Sequence, residues 1–295
     1  MDLKNKWVVL TGATSGIGLA TAKALCEKGA HIIGVGRSQE RCEKVKRELS
    51  ERYPESTLDF LVADLSSLKN IRLLAEAVKK TLSDNGQYHL DVLINNAGTF
   101  TSWYMSTNEG FEMQFAVNHL APFLLTHLLF SLLKNAPSGK IITLSSGSHY
   151  HTKIHWKDVL FRKHYNGLLA YKQSKLANVL FTWELRKRLG KESRVHAYAA
   201  DPGLVNTEMG LKSTTGIAKF VWSIRKNSGD DPSEAAESLI YLATQDSVAN
   251  ADDIYFKACK AKKANPYALK EGNALRLWEL SEKMCGIKSA DYGMF

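Results

Sequence analysis

Through the first two-thirds of the chain, short β-branched apolar runs alternate with longer stretches whose apolar positions recur every three or four residues. The runs at 7–11 (WVVLT), 31–36 (HIIGVG), 57–62 (TLDFLV), 90–95 (LDVLIN), 140–145 (KIITLS) and 194–199 (RVHAYA) read as strands. The stretches near 17–28, 39–52, 67–82, 111–134 and 171–189 read as helices. That β-α-β-α order predicts an α/β protein with a doubly wound, mainly parallel sheet and helices on both faces. Such a sheet takes its ligands beyond the carboxyl ends of its strands.

No internal repeat, low-complexity tract or Pro/Ser-rich linker interrupts the pattern, so residues 1–295 are expected to form a single domain. Two segments break the rhythm. Residues 147–170 form an insert rich in His, Lys and aromatic side chains, and 204–231 are expected to be a substrate loop or lid. Helical periodicity returns at 232–244 and 273–284. The longest uncharged stretch, 115–133, approaches the length of a membrane span, but Asn118, His119, Pro122, Thr126, His127 and Ser131 interrupt it, which predicts a buried helix. No long apolar region precedes the first strand, so neither a secretory signal nor a membrane anchor is expected. A cytoplasmic or peripherally membrane-associated location follows.

Composition adds a core and a charge. With 44% hydrophobic and 23% charged residues the chain can bury a sizeable interior. Its four cysteines, Cys26, Cys42, Cys259 and Cys285, are scattered without a C-x-x-C, which suits a reducing compartment. A net charge of +9 favours anionic partners: a phosphate-bearing cofactor, an acidic lipid surface or nucleic acid. The densest basic cluster, KACKAKK at 257–263, reads as a solvated face and has no interleaved aromatics for base stacking. No nucleic-acid partner is therefore expected, and peripheral contact with an anionic membrane is the other association the charge suits.

Three features carry candidate chemistry. The first strand runs into Gly12-x-x-x-Gly16-x-Gly18 and then a helical stretch, where glycines admit a pyrophosphate and a helix N-terminus presents unpaired N–H groups. At the end of the second strand Gly36 stands where an acid would hold an unphosphorylated ribose, and Arg37 follows; its fork suits a 2′-phosphate. Tyr171 and Lys175 lie four apart on one helix face, while Leu176, Val179, Leu180 and Trp183 supply an apolar stripe to anchor it. A phenol that trades its proton near neutrality needs its pKa lowered by roughly 2–3 units from about 10. A nearby ammonium achieves that only in a partly dry cleft. The insert histidines His149, His151, His155 and His164 suggest zinc, but no second element offers ligands, so no metal is expected.

These motifs, in this order, resemble the short-chain dehydrogenase/reductase superfamily. The resemblance implies a Rossmann-type fold binding NADP(H), with Gly12, Thr14, Ser15, Gly16, Ile17 and Gly18 at the pyrophosphate and Arg37 at the 2′-phosphate. It places Asp64 and Leu65 of VADLSS beside the adenine, and Asn95, Ala97 and Gly98 of NNAG along the cleft. Pro202, Gly203, Val205 and Thr207 of DPGLVNTEM would meet the nicotinamide. It assigns Tyr171 as acid/base and Ser146, the second serine of IITLSS, as the group that orients the substrate oxygen. Lys175 would hold the ribose and acidify Tyr171, and Asn118 would hold a relay water.

The long insert, the SKLANVLFTWEL helix and the tail NALRLWELSEKMCGI are similar to the retinol dehydrogenase-like branch. That branch implies an oxidoreductase interconverting a hydrophobic alcohol and its aldehyde or ketone, of a retinoid, steroid or lipid-like kind, with a homodimer as a candidate assembly. The apolar side chains of 99–105, the insert and 204–222 would wall the substrate site. The chain is expected to depart from the branch in having no N-terminal membrane segment, and it carries Asp201 where His or Asn usually precedes Pro-Gly. A catalytically idle NADP(H)-binding scaffold or sensor is the competing expectation.

Overall fold

The strand runs are apolar at nearly every position because both faces of the sheet are covered. In β1 (Trp7–Thr11), Val8 and Leu10 join one buried cluster, while Trp7 and Val9 join another on the opposite face. The computed structural model describes residues 3–203, 231–245, 253–270 and 272–293. Val205, Thr207 and nearly all of the expected 204–231 loop lie outside them.

The order along the chain is β1, α1 (Gly16–Glu27), β2 (His31–Gly36), α2 (Gln39–Arg52), β3 (Leu58–Val62), α3 (Leu68–Asp84) and β4 (Val92–Asn95). It continues with α4 (Met113–Asn135), β5 (Gly139–Leu144), α5 (Gly167–Leu189) and β6 (Val195–Asp201). It closes with α6 (Pro232–Thr244), the short pair β7 (Tyr255–Lys257) and β8 (Lys260–Lys262), and α7 (Asn273–Cys285). The eight strands form one sheet in the order β3-β2-β1-β4-β5-β6-β7-β8, parallel except for the β7–β8 edge pair. α3, α4, α5 and α7 pack on one face, and α1, α2 and α6 on the other. This is the Rossmann-type α/β fold that the alternation predicts. β1 and β4 are neighbours although five elements separate them along the chain, and the cleft opens where the strand order reverses.

α4 is long and apolar enough to cross a membrane, yet 83% of its apolar 18-residue stretch is buried inside the fold, as its interruptions suggest. Its first turns contain a π turn at Ala116–Leu120. The outer side of α4 and α5 is covered by α7: the Trp278 ring lies 5.1 Å from Phe123 and 5.8 Å from Phe181. Two buried histidines join this layer, His119 to the Ser281 hydroxyl at 2.8 Å and His127 to that of Ser289 at 3.0 Å. Burial lowers both to about 4, so they are neutral near pH 7.

The β7–β8 hairpin turns through Ala258 and Cys259, both with positive φ, 47° and 59°. Lys260 and Lys262 of the basic cluster point into solvent at this sheet edge, where charge discourages further strand pairing.

Candidate active site

The glycine turn is held from below. Thr11 Oγ1 accepts from the backbone N–H of Asn96 and of Ala97, both at 3.0 Å, and Asn96 Nδ2 donates to Thr11 O at 2.7 Å. Gly12 (φ +70°) and Gly16 (φ +52°) adopt left-handed backbone conformations that favour glycine. α2, α3, α5 and α6 each have a side chain capping their first N–H groups: Ser38, Ser67, Asn166 and Asp231. α1 has none: Ser15 is exposed and its hydroxyl makes no cap bond. The first turn, with Ile17 and Gly18 buried in it, thus keeps open N–H groups at the carboxyl end of β1. Those residues fit a dinucleotide pyrophosphate.

Around this turn the structure gathers most of the other cofactor candidates. Thr14 abuts Gly36, where an added Cβ would lie 2.7 Å from Thr14 Cγ2. Arg37 is exposed beside it, just ahead of the N-terminus of α2. Asp64 caps its own loop, accepting from Ser66 N at 3.0 Å, and Leu65 lines a crevice with Thr11, Asn95, Ala97 and Val117. Gly98 follows in the same half-buried loop. The Asn95 side chain turns away from the turn and into the core, where Nδ2 donates to Thr126 Oγ1 at 3.2 Å. Pro202 and Gly203 follow β6, and Gly203 N donates to Asp201 Oδ1 at 3.0 Å.

The catalytic candidates meet at the carboxyl ends of β5 and β6. Tyr171 and Lys175 point to the same side of α5, the ammonium 5.7 Å from the phenol ring centroid. Both are buried, and Phe100 packs edge-on against Tyr171 with ring centroids 5.8 Å apart. Lys175 Nζ donates to Leu144 O at 3.1 Å. Burial lowers its pKa to about 8, against an opposing pull from Asp201. Ser145 is buried and its hydroxyl donates to Lys175 O at 2.9 Å; Ser146 is half-buried, and its hydroxyl accepts only from Ser148 N, at 3.3 Å, among described residues.

Asn118 sits in the π turn. Its Oδ1 accepts from Thr99 N at 2.7 Å, and its Nδ2 donates to Thr99 O at 3.0 Å and Ser174 Oγ at 2.9 Å. The side chain therefore clamps the loop after β4 to α5. The Asn118 carbonyl accepts from Asn178 Nδ2 at 2.8 Å, and the same Nδ2 donates to Leu144 O at 2.9 Å. Asn178 thus bridges Asn118 to the carbonyl that Lys175 holds. Asn96 and Asn178 escaped the sequence reading. The signal was there in each: a second Asn in NNAG, and a buried amide three residues beyond Lys175.

The insert packs behind this centre. His149 is buried, with Nδ1 donating to Ser146 O at 2.7 Å and Nε2 accepting from Asn265 N at 3.1 Å. His151, His155 and His164 are exposed, and no group of His, Cys, Asp and Glu among the described residues could hold a metal ion. Of the apolar side chains in 99–105, Phe100 reaches Tyr171, whereas Trp103, Tyr104 and Met105 are exposed. A cavity of about 530 Å³ opens between the insert and α7, lined by Trp156, Leu160, Arg276 and Met284 among others, and none of the catalytic candidates borders it.

The family described as short chain dehydrogenase matches residues 6–217. Retinol dehydrogenase 14 of Mus musculus is 37% identical over 301 residues, covering 97% of this chain and 87% of that protein. Retinol dehydrogenase 11 of Homo sapiens is 37% identical over 287 residues, with 97% and 88% covered. Among solved structures, an uncharacterized protein from Mycobacterium Paratuberculosis is similar at 30% identity and TM-score 0.75, covering 97% of this chain and 96% of that one. A short chain dehydrogenase from Shigella flexneri complexed with NADP shares the fold at 21% identity and TM-score 0.65, with 88% and 99% covered.

Proposed function

The chain is a member of the short-chain dehydrogenase family, and we propose that it is an NADP(H)-dependent enzyme interconverting a hydrophobic alcohol with its aldehyde or ketone. The observation that carries this is the placement of the Lys175 ammonium 5.7 Å from the centroid of the Tyr171 ring, with both side chains buried. At an effective dielectric near 20, opposite charges about 6 Å apart attract by roughly 3 kcal/mol, or about two pKa units. That is the scale of help a tyrosine needs to act as acid and base.

A bound nicotinamide cofactor supplies or accepts the hydride. The chain's own groups do the rest. The Ser146 hydroxyl hydrogen-bonds the substrate oxygen and fixes its approach to Tyr171. Tyr171 donates its proton to that oxygen during reduction and removes it during oxidation. Lys175 favours the phenolate and binds the ribose, Asn118 holds the site loop in register, and its carbonyl offers a lone pair to a relay water. Arg37 binds the 2′-phosphate. Val205 and Thr207, outside the described residues, complete the nicotinamide contacts by family resemblance. The retinol dehydrogenases among the relatives, together with apolar Phe100 at the tyrosine, support a retinoid-, steroid- or lipid-like carbonyl as substrate, and the positive net charge suits peripheral contact with an anionic membrane.

NADPH oxidation measured against a panel of retinoid, steroid, fatty and aromatic carbonyls tests the proposal. Turnover of a hydrophobic member is expected, and Tyr171→Phe should abolish it while leaving NADPH binding near normal. Absence of turnover across the panel, with intact NADPH binding, would favour the idle scaffold instead.

A further inference from the structure

The carboxyl end of β6 holds a buried acid for which the reaction as described has no use. Asp201 is 2% exposed. Its Oδ2 accepts from the Tyr255 hydroxyl at 2.6 Å and its Oδ1 from Gly203 N at 3.0 Å. Tyr255 is fixed by the fold, since β6 and β7 pair Ala199 with Tyr255 and Asp201 with Lys257. Tyr255 is a dependable donor, because burial and the adjacent carboxylate push its phenol far above the ordinary tyrosine range.

Sheet register brings this acid to the catalytic groups. Leu144 stands opposite Ala200, Ser145 N donates to Ala200 O at 2.7 Å, and Asp201 is the next residue. A Cβ on Gly147 would lie 3.3 Å from Asp201 Oδ2, so the carboxylate sits against the Ser146–Gly147 turn. Lys175 reaches the adjoining end of β5 through Leu144 O.

We propose that Asp201, locked in place by Tyr255, is a positioning residue for the reaction: it is the counter-charge that keeps the buried Lys175 ammonium charged beside Tyr171. This inference rests on the oxidoreductase reading above. The neighbouring titratable groups leave the task to Asp201. His149, from the insert, is held neutral, because Ser146 O can only accept from its Nδ1 and Asn265 N can only donate to its Nε2. Tyr255, from β7, keeps its proton. On α5 itself Tyr171 is the partner in the reaction, and from α4 the facing group is the uncharged Asn118. Burial alone works against the Lys175 charge, and the field of Asp201 opposes it. The chain thus departs from the His or Asn of its resemblance in a way that alters the charge of the site.

The test replaces the charge and keeps the shape. Asp201→Asn removes a negative charge, so the Lys175–Tyr171 pair gives up its proton more easily. The alkaline limb of the carbonyl-reduction pH profile should move to lower pH by roughly half to one unit, with plateau KM for the carbonyl unchanged. Tyr255→Phe, which keeps the carboxylate but frees it, should move the limb less. Asp201→Ser serves as a second charge-free variant should the Asn protein fail to accumulate.

A cofactor-free readout runs beside it. Lys175 is depressed in the folded protein, so its contribution to stability rises with pH between its folded and unfolded pKa values. In a cycle with Lys175→Met, the lysine-dependent rise in Tm should begin at lower pH when Asp201 is Asn. A slower enzyme whose limb and Tm onset both superimpose on the parent would overturn the inference and leave Asp201 a purely architectural residue. A parent without reductase turnover would instead defeat the functional reading, and the Tm cycle would still decide whether Asp201 sets the charge of Lys175.

Discussion

A β-carbon on Gly18 would lie 2.0 Å from the carbonyl oxygen of Gly12 and 2.6 Å from Asn96 Nδ2. Neither neighbour is free to retreat: the first is backbone, and the second is bonded to Thr11 O. Gly18→Ala must therefore push α1 away from the turn that its N-terminus serves. NADPH binding, followed by fluorescence titration, should weaken at least about 10-fold, with Tm lowered by several degrees. Parental affinity in that variant would show that the turn does not bind the cofactor.

Arg37 is exposed and directly follows Gly36, which abuts Thr14, and it precedes a helix whose first turn is capped by Ser38, accepting from Arg41 N. Charge reversal by Arg37→Glu should cost NADPH on the order of 100-fold in Kd, as the loss of a charge-assisted fork and the gain of repulsion would. NADH, lacking the phosphate, should be affected far less. Parallel titrations with both cofactors check the ratio, and a parent that already prefers NADH removes Arg37 from its role.

His119 and His127 are each held neutral down to about pH 4 in the fold but take up a proton near 6.5 when unfolded. Because the unfolded chain binds more protons between those values, stability falls as pH drops from about 6.5 toward 4. The loss should reach roughly 3 kcal/mol for each histidine. Urea unfolding across that window should show the fall, and the paired variant His119→Gln/His127→Gln should flatten it.

Trp278 fills the space between Phe123 and Phe181 and carries the Arg188 guanidinium 4.7 Å over its ring. Trp278→Ala should cost about 3–5 kcal/mol, read as a shift in the urea midpoint. Since Phe181 lies on the helix that carries Tyr171 and Lys175, turnover should become more heat-sensitive than in the parent.

Strands β1 to β6 were legible because short runs rich in apolar and β-branched residues, bounded by polar or glycine positions and mostly buried, admit few other structures. β7 and β8 were not. Each is three residues long, and their turn uses Ala258 and Cys259 at positive φ where sequence rules look for Asn-Gly. The π turn of α4 leaves the same apolar periodicity as an ordinary helix, so only the lone amide of Asn118 hinted at it. In the site, residues in motifs could be read as single positions, but partnerships could not. That Asn95 faces Thr126 while Asn96 braces the glycine turn depends on which side of a strand end each occupies. Likewise, the meeting of Asp201 with Tyr255 spans 54 positions and comes from strand pairing alone.

The layer that α7 lays over α4 and α5 also imposes an order of events during synthesis. At roughly 5–20 residues per second, Phe181 leaves the ribosome several seconds before Trp278, its stacking partner, exists. In that interval an apolar flank of the helix that carries Tyr171 is open to water and to other nascent chains. Chaperone demand should therefore concentrate on this flank, and it should end abruptly once the last helix has been translated and has docked.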